Sequence, residues 1–154
     1  MPKALVVYWS KTGNTKAVAE AIAKGINATK KAEAVVKDVK ITKPEEVLDY
    51  DALIIGSANH GGGPVGDIKN FLKKLEKLNL KGKKGAVFDT HSGPGQSNLR
   101  AIQKMERQIR GKIPGLKLVA PGFGGEAKGI MKGPLVEGEL AKAEEFGKSI
   151  SAKI

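Results

Sequence analysis

Cysteine is absent from all 154 residues. That absence excludes disulfides, thiolate catalysis and cysteine-ligated zinc or iron–sulfur centres. Histidine occurs only at His60 and His91, a poor ligand set for a metal, so no metal site is expected. Aromatic residues make up 5% of the chain, and no stretch interleaves them with basic residues as single-strand nucleic-acid binders do. No apolar run approaches the roughly 20 residues that a transmembrane helix needs, so no membrane insertion is expected. Met1 to Lys3 lacks the basic and apolar segments of a secretion signal. The expected location is the cytoplasm.

Lysine, by contrast, is abundant. With 27 Lys+Arg against 16 Asp+Glu the net charge is +11. Such an excess suits nucleic acid, an anionic surface or an acidic protein. The lysines are scattered along every segment in runs no longer than two, which reads as a solvated surface rather than a nucleic-acid track.

Apolar runs at Lys3–Tyr8, Glu33–Val39, Ala52–Ile55, Gly85–Phe88 and Leu116–Val119 read as strands, the continuous ones buried on both faces. Between them lie helical patterns. Asn14–Asn27 carries Val18, Ile22 and Ile26 on one face, and Lys43–Glu46 opens a short helix at Pro44. Asp67 is expected to cap a helix with Ile68, Phe71, Leu72, Leu75 and Leu78. Leu99, Ile102, Met105 and Ile109 form the next stripe. Val136–Ile154 closes the chain with Leu140, Ala143, Phe146 and Ile150 inward. Gly61–Pro64, His91–Asn98 and the Gly-rich Pro121–Pro134 read as loops. Alternation of strand and helix predicts one α/β domain over residues 1–154, a three-layer sandwich around a parallel sheet. Ligands then sit beyond the carboxyl ends of the strands, at the segments Trp9–Thr15, Ser57–Pro64 and Asp89–Ser97.

The first of these, within Val6–Thr15 "VVYWSKTGNT", joins a strand to a helix. Helix N-termini present unpaired N–H groups and the positive end of the dipole. Gly13 permits a tight turn, and Ser10, Thr12, Asn14 and Thr15 add polar groups. Simple capping by Thr12 or Asn14 needs one such residue. Four around one glycine favour a phosphate cradle. It is not a Walker loop. Gly147-Lys148-Ser149 has Lys142 where the leading glycine belongs, and G-x-G-x-x-G is absent from the junction.

This stretch resembles the FMN-phosphate motif of the flavodoxins, the short-chain members above all. The similarity continues through Ala17–Ile26 and recurs at Glu144–Ile150. The resemblance implies a flavodoxin-like fold of five parallel strands in order 2-1-3-4-5, and one FMN. It makes Ser10, Thr12, Asn14 and Thr15 phosphate ligands, beside the backbone N–H groups of Lys11 and Gly13. It makes Ser57, Ala58, Asn59, His60, Gly61 and Gly62, and Asp89, Thr90, His91, Ser92 and Gly93, the walls around the flavin ring. Flavodoxins often place Tyr or Trp against the flavin in these two loops. Neither loop holds one here, which leaves His60 and His91 as the rings able to stack. In the family a peptide of the first loop turns over to bond flavin N5–H, and His60-Gly61 or Gly61-Gly62 has the freedom to do so. Asp89 is expected to bond the flavin or to close an Asx turn.

The resemblance implies a carrier of single electrons between redox partners rather than a turnover enzyme, with no catalytic side chain. The alternative is an FMN-dependent NAD(P)H or quinone oxidoreductase on the same fold. A flavin-free module for a phosphate-bearing ligand is a third reading. Members of the family are mostly acidic, whereas this chain is at +11. Cations near a flavin favour its anionic, fully reduced form, so the second-electron potential is expected to be less negative than is usual. The same charge points to acidic redox proteins, such as ferredoxin-like donors, as partners of a monomer.

Overall fold

The computed structural model describes residues 1–60, 62–93, 100–129 and 133–154. Three strands form the centre: β1 (Lys3–Tyr8), β3 (Ala52–His60) and β5 (Lys84–Ser92). All pair in parallel, and β2 (Glu33–Asp38) extends the sheet beyond β1. Successive side chains along each strand enter opposite layers. Leu5, Val7, Leu53, Ile55 and Val87 enter one apolar cluster, whereas Val6, Ile54, Ala86 and Phe88 enter the other. The first cluster is covered by α2 (Gly66–Leu75) and α3 (Arg100–Lys112). The second is covered by α1 (Asn14–Ala28) and α4 (Glu139–Ser151).

The sheet runs β2-β1-β3-β5-β6, with β6 at Lys117–Leu118. Setting aside the two-residue β4 (Gly63–Pro64), which pairs antiparallel with β3, this is the expected order 2-1-3-4-5. The fifth position is divided. β6 pairs with Lys84 and Gly85, and β7 (Phe123–Ala127) pairs with Phe88 to Ser92. Pro121 lies in the gap and has no N–H to give a ladder. Gly122 passes so close that a Cβ there would strike Ile102 and Val87.

Several elements differ from the sequence expectation. β7 occupies what reads as a Gly-rich loop. Gly124 and Gly125 lower its strand propensity, yet Gly125 is what fits beneath Val18 of α1. β3 and β5 run on through His60 and Ser92, past the end of their apolar runs, because their ladder continues to Ala58↔Thr90 and their last residues pair with β4 and β7. Within the segment Gly61–Pro64, which reads as a loop, Gly63 and Pro64 form β4 and pair with His60 and Asn59. Val65 holds the N-cap position of α2, so Asp67 sits inside the first turn and favours the dipole rather than capping. The segment after Lys43 is a 3-10 helix, Pro44–Asp49. α4 begins only at Glu139, after Gly138 at φ 87°, and its buried face is Glu139, Ala143, Gly147 and Ile150. Leu140 is therefore turned outward, 44% exposed. The expectation at Leu99 lies outside the described residues.

α1 and α4 touch backbone to backbone. A Cβ on Gly25 would overlap the Glu144 carbonyl, and one on Gly147 the Ile22 carbonyl. Gly147→Ala should therefore lose about 1–3 kcal/mol of stability through overpacking. Gly111→Ala, in open space on α3, should gain about 0.5–1 kcal/mol. Urea denaturation checks the pair, and equal stability of the two variants would refute the close-packed crossing.

Candidate cofactor site

β1, β3 and β5 all deliver their carboxyl ends to one edge of the sheet, and a half-open cleft lies there. It is lined by Lys11, Thr12, Asn14 and Thr15 from the β1–α1 junction. Ala58, Asn59 and His60 come from β3, Thr90, His91 and Ser92 from β5, and Trp9 and Ala127 complete it.

The N-terminus of α1 is built as a cradle. Gly13 occupies the N-cap position at φ 99°, a left-handed conformation that glycine adopts without strain. Neither Thr12 nor Asn14 caps the helix. Instead the Gly13 N–H donates to Ser10 Oγ at 3.0 Å. The first helical bond runs from Ala17 N–H to Gly13 C=O at 2.9 Å, so the amides of the first turn have no carbonyl within the helix. A Cβ on Gly13 would meet nothing within 4 Å, so the space beyond it is open. Open first-turn amides, the Thr12 and Thr15 hydroxyls and the Lys11 ammonium form a donor set that fits a phosphate.

The cradle is tied to the sheet. Thr15 and Thr90 share a hydroxyl–hydroxyl bond of 2.7 Å, buried between α1 and β5. Asn14 Nδ2 donates to the Gly133 carbonyl at 2.7 Å, and Ser92 Oγ to the Gly129 carbonyl at 2.5 Å. The Gly129 and Gly133 carbonyls thus brace the cradle and the end of β5.

Three expected site residues lie behind the surface of the cleft. Ser10 shapes the turn by accepting the Gly13 amide. Ser57 is fully buried, donates to the Ala58 carbonyl at 2.7 Å and accepts the Val65 N–H at 2.9 Å. Asp89 is fully buried within β5, and instead of closing an Asx turn it bonds His91 Nδ1 through Oδ1 at 2.9 Å. Its Oδ2 has no hydrogen-bond partner. Gly62 and Gly93 sit at φ 81° and 74°, where glycine is favoured. Gly61 lies outside the described residues.

Trp9 is the residue that sequence reasoning missed. It continues the alternation Leu5, Val7, Trp9, and its N–H donates to the Gly56 carbonyl at 3.2 Å. Its ring meets His60 edge-on, with centroids 5.4 Å apart and planes at 82°. A third ring therefore reaches the cleft from the residue after β1, beside His60 and His91. Its place at a strand's carboxyl end was the available signal.

Among the described residues, no helix is long and apolar enough to cross a membrane, and no group of three or more His, Asp or Glu is arranged to hold a metal.

A doubly wound α/β fold with a phosphate-type cradle after its first strand defines a mononucleotide-binding class. The flavodoxin family profile matches residues 6–145. A flavodoxin of Clostridium beijerinckii is 34% identical over 108 residues, 69% of this chain and 75% of that one. The crystal structure of oxidised flavodoxin 2 from Bacillus cereus superposes with a TM-score of 0.84 at 29% identity, covering 99% of both chains. A flavodoxin from the Archaea gives 0.82 at 27%, covering 98% of this chain and 97% of that one. The chain belongs to the flavodoxin family, FMN-binding proteins that transfer electrons between redox partner proteins. These relatives do not favour the oxidoreductase alternative.

Asp89 and His91 shift each other's protonation. Burial pushes the Asp89 carboxyl above its ordinary value, and the bond to His91 offsets this only in part. The Asp89 carboxylate raises the His91 imidazole against the opposing effect of burial, and Glu126 and Glu139 add to the rise. Both shifts mean that the folded state holds more protons than the unfolded chain, so their contribution to stability falls as pH rises. The His91 part is present below its unfolded pKa and is lost as pH climbs through the raised folded value. Cofactor-free protein should lose stability as pH rises from about 6.5, the ordinary value of a histidine, and His91→Gln should flatten that slope. Denaturant midpoints across the range test this, and identical slopes in both proteins would reject it.

Proposed function

We propose that the cleft holds FMN, with its phosphate in the α1 cradle and its ring between the ends of β3 and β5. The observation that carries this reading is the convergence, in one cleft, of the α1 first turn with both strand ends. Thr12, Asn14 and Thr15 act as phosphate ligands with the amides of Lys11 and Gly13. Ser10 holds the turn that presents them. Thr15 and Thr90 fix cradle and ring wall relative to each other. Ala58, Asn59, His60 and Gly62 form one ring wall, and Thr90, His91, Ser92 and Gly93 the other. Ser57 and Asp89 support these walls from behind. Trp9 and His60 meet edge-on at one side and exclude water there. Bound FMN supplies the one-electron chemistry, so the side chains need only bind, orient and tune it. The chain acts as one domain in the cytoplasm, as a monomer. Its net charge of +11 favours the anionic, fully reduced cofactor and acidic, ferredoxin-like partners.

Thr12→Ala should weaken FMN by roughly 10–100-fold, the cost of one hydrogen bond to a charged group, and leave riboflavin affinity unchanged. Quenching of flavin fluorescence measures both. Equal losses for the two flavins would mean that Thr12 does not face the phosphate. An anaerobic reductive titration of the FMN-loaded protein should proceed in two separated one-electron steps. A single two-electron step would turn the assignment toward the reductase.

A further inference from the structure

The lysines look evenly spread along the sequence, but folding sorts the charges. The α1 and α4 layer carries four lysines and four glutamates. Three pairs join them: Lys24–Glu144 at 3.1 Å, Lys142–Glu139 at 3.7 Å and Lys148–Glu145 at 3.3 Å. The α2 and α3 layer on the other face carries eight cations against two acids. No ion pair occurs on these two helices among the described residues. Glu76, just beyond α2, is engaged by the neutral Gln108 at 2.9 Å, and Glu106 accepts the Gly122 amide at 3.2 Å.

α3 concentrates the effect. It holds all three arginines of the chain, Arg100, Arg107 and Arg110, together with Lys104 and Lys112. Arg100, Lys104 and Arg107 are exposed and recur at helical spacing, opposite the buried stripe of Ile102, Met105 and Ile109. Guanidinium forks match carboxylates in a way that lysine does not.

This stripe begins at the cofactor cleft. Arg100 Cδ and Nη1 lie 3.3 and 3.4 Å from where a Cβ on Gly62 would sit, and Lys104 Nζ lies 3.3 Å from the same point on Gly63. Gly63 pairs with His60, and Pro64 with Asn59, two of the three residues that line the cleft from β3. Cation stripe, turn and cleft are contiguous.

We propose that the outer face of α3, led by Arg100, Lys104 and Arg107, is the docking surface for an acidic redox protein, which it seats against the β3–β4 turn beside the cofactor. The proposal rests on the reading of the chain as an electron carrier. Complementary charge speeds encounter and fixes orientation, and a stripe touching the turn brings the partner's carboxylates to the edge where the electron crosses. The balanced α1 and α4 face offers no such field.

The probe is an acidic plant-type [2Fe–2S] ferredoxin. Titrated into the FMN-loaded protein at low salt, it should shift amide resonances on α3 and the β3–β4 turn and leave α1 and α4 unmoved. Shifts centred on α1 and α4, or none at all, would overturn the assignment. In stopped-flow exchange, the triple charge reversal Arg100→Glu, Lys104→Glu and Arg107→Glu should lower the second-order rate roughly tenfold or more and flatten its salt dependence. A control with equal change of net charge, Lys31→Glu, Lys81→Glu and Lys153→Glu, lies on exposed positions away from the strands' carboxyl ends and should change the rate less than about threefold. Equal losses in both variants would reduce the effect to net charge and sink the proposal. Shifts on α3 produced by a short DNA duplex but not by ferredoxin would reassign the surface to nucleic acid. Oxidation of the reduced protein by hexacyanoferrate separates the two failures. A protein that passes no single electrons to that ion is not a carrier, whereas one that does so yet ignores ferredoxin lacks only the docking surface.

Discussion

Parallel pairing of β1, β3 and β5 is the constraint from which the rest follows. Parallel strands need crossover helices, and right-handed crossovers place those helices on both faces. The strands are then buried on both sides, which is why Leu5 to Val7, Leu53 to Ile55 and Ala86 to Phe88 are apolar without alternation. All carboxyl ends also arrive at one edge, where the ladder still holds but the apolar content stops. Ser57, Ala58, Asp89 and Thr90 stand at that boundary, in register across β3 and β5. The cleft is the local consequence of a sheet that outlasts its own hydrophobic core.

Polar groups at that boundary do two kinds of work. Some face the cleft, as Thr12, Asn59 and His91 do. Others are turned inward and hold the first group in place. Ser57 stitches β3 to the residue after β4, and Asp89 holds the His91 ring. A fully buried carboxylate is expensive unless it is paired, and one oxygen of Asp89 has no hydrogen-bond partner. Burial therefore raises the Asp89 carboxyl, and the Asp89 carboxylate in turn raises the His91 imidazole.

Separation of the two helix layers governs what the surface can meet. One layer is balanced in charge and bridged by the Lys24–Glu144 ion pair, with Gly25 and Gly147 allowing its helices to touch. The other is strongly cationic and leaves its charges in solvent. An electron carrier with one charged flank presents its cofactor edge in a preferred orientation. This is a property of the field rather than of any single lysine.

Much of this was legible in the residues. Apolar runs and 3.6-residue stripes determined the α/β class and the order of the elements, because burial on two faces and burial on one face leave different periods. The cluster of Ser10, Thr12, Gly13, Asn14 and Thr15 marked the anion cradle, because tight turns and helix N-termini have local chemistry. Tertiary structure alone decided what depends on pairing between distant segments. It made a strand of Phe123–Ala127, since a glycine-rich segment becomes a strand only where β5 offers a free edge. It set Trp9 against His60, turned Asp89 toward His91, and placed the cationic helices α2 and α3 together on one flank. Each of these joins residues whose meeting is set by the ladder register and the helix crossings, and sequence spacing carries neither.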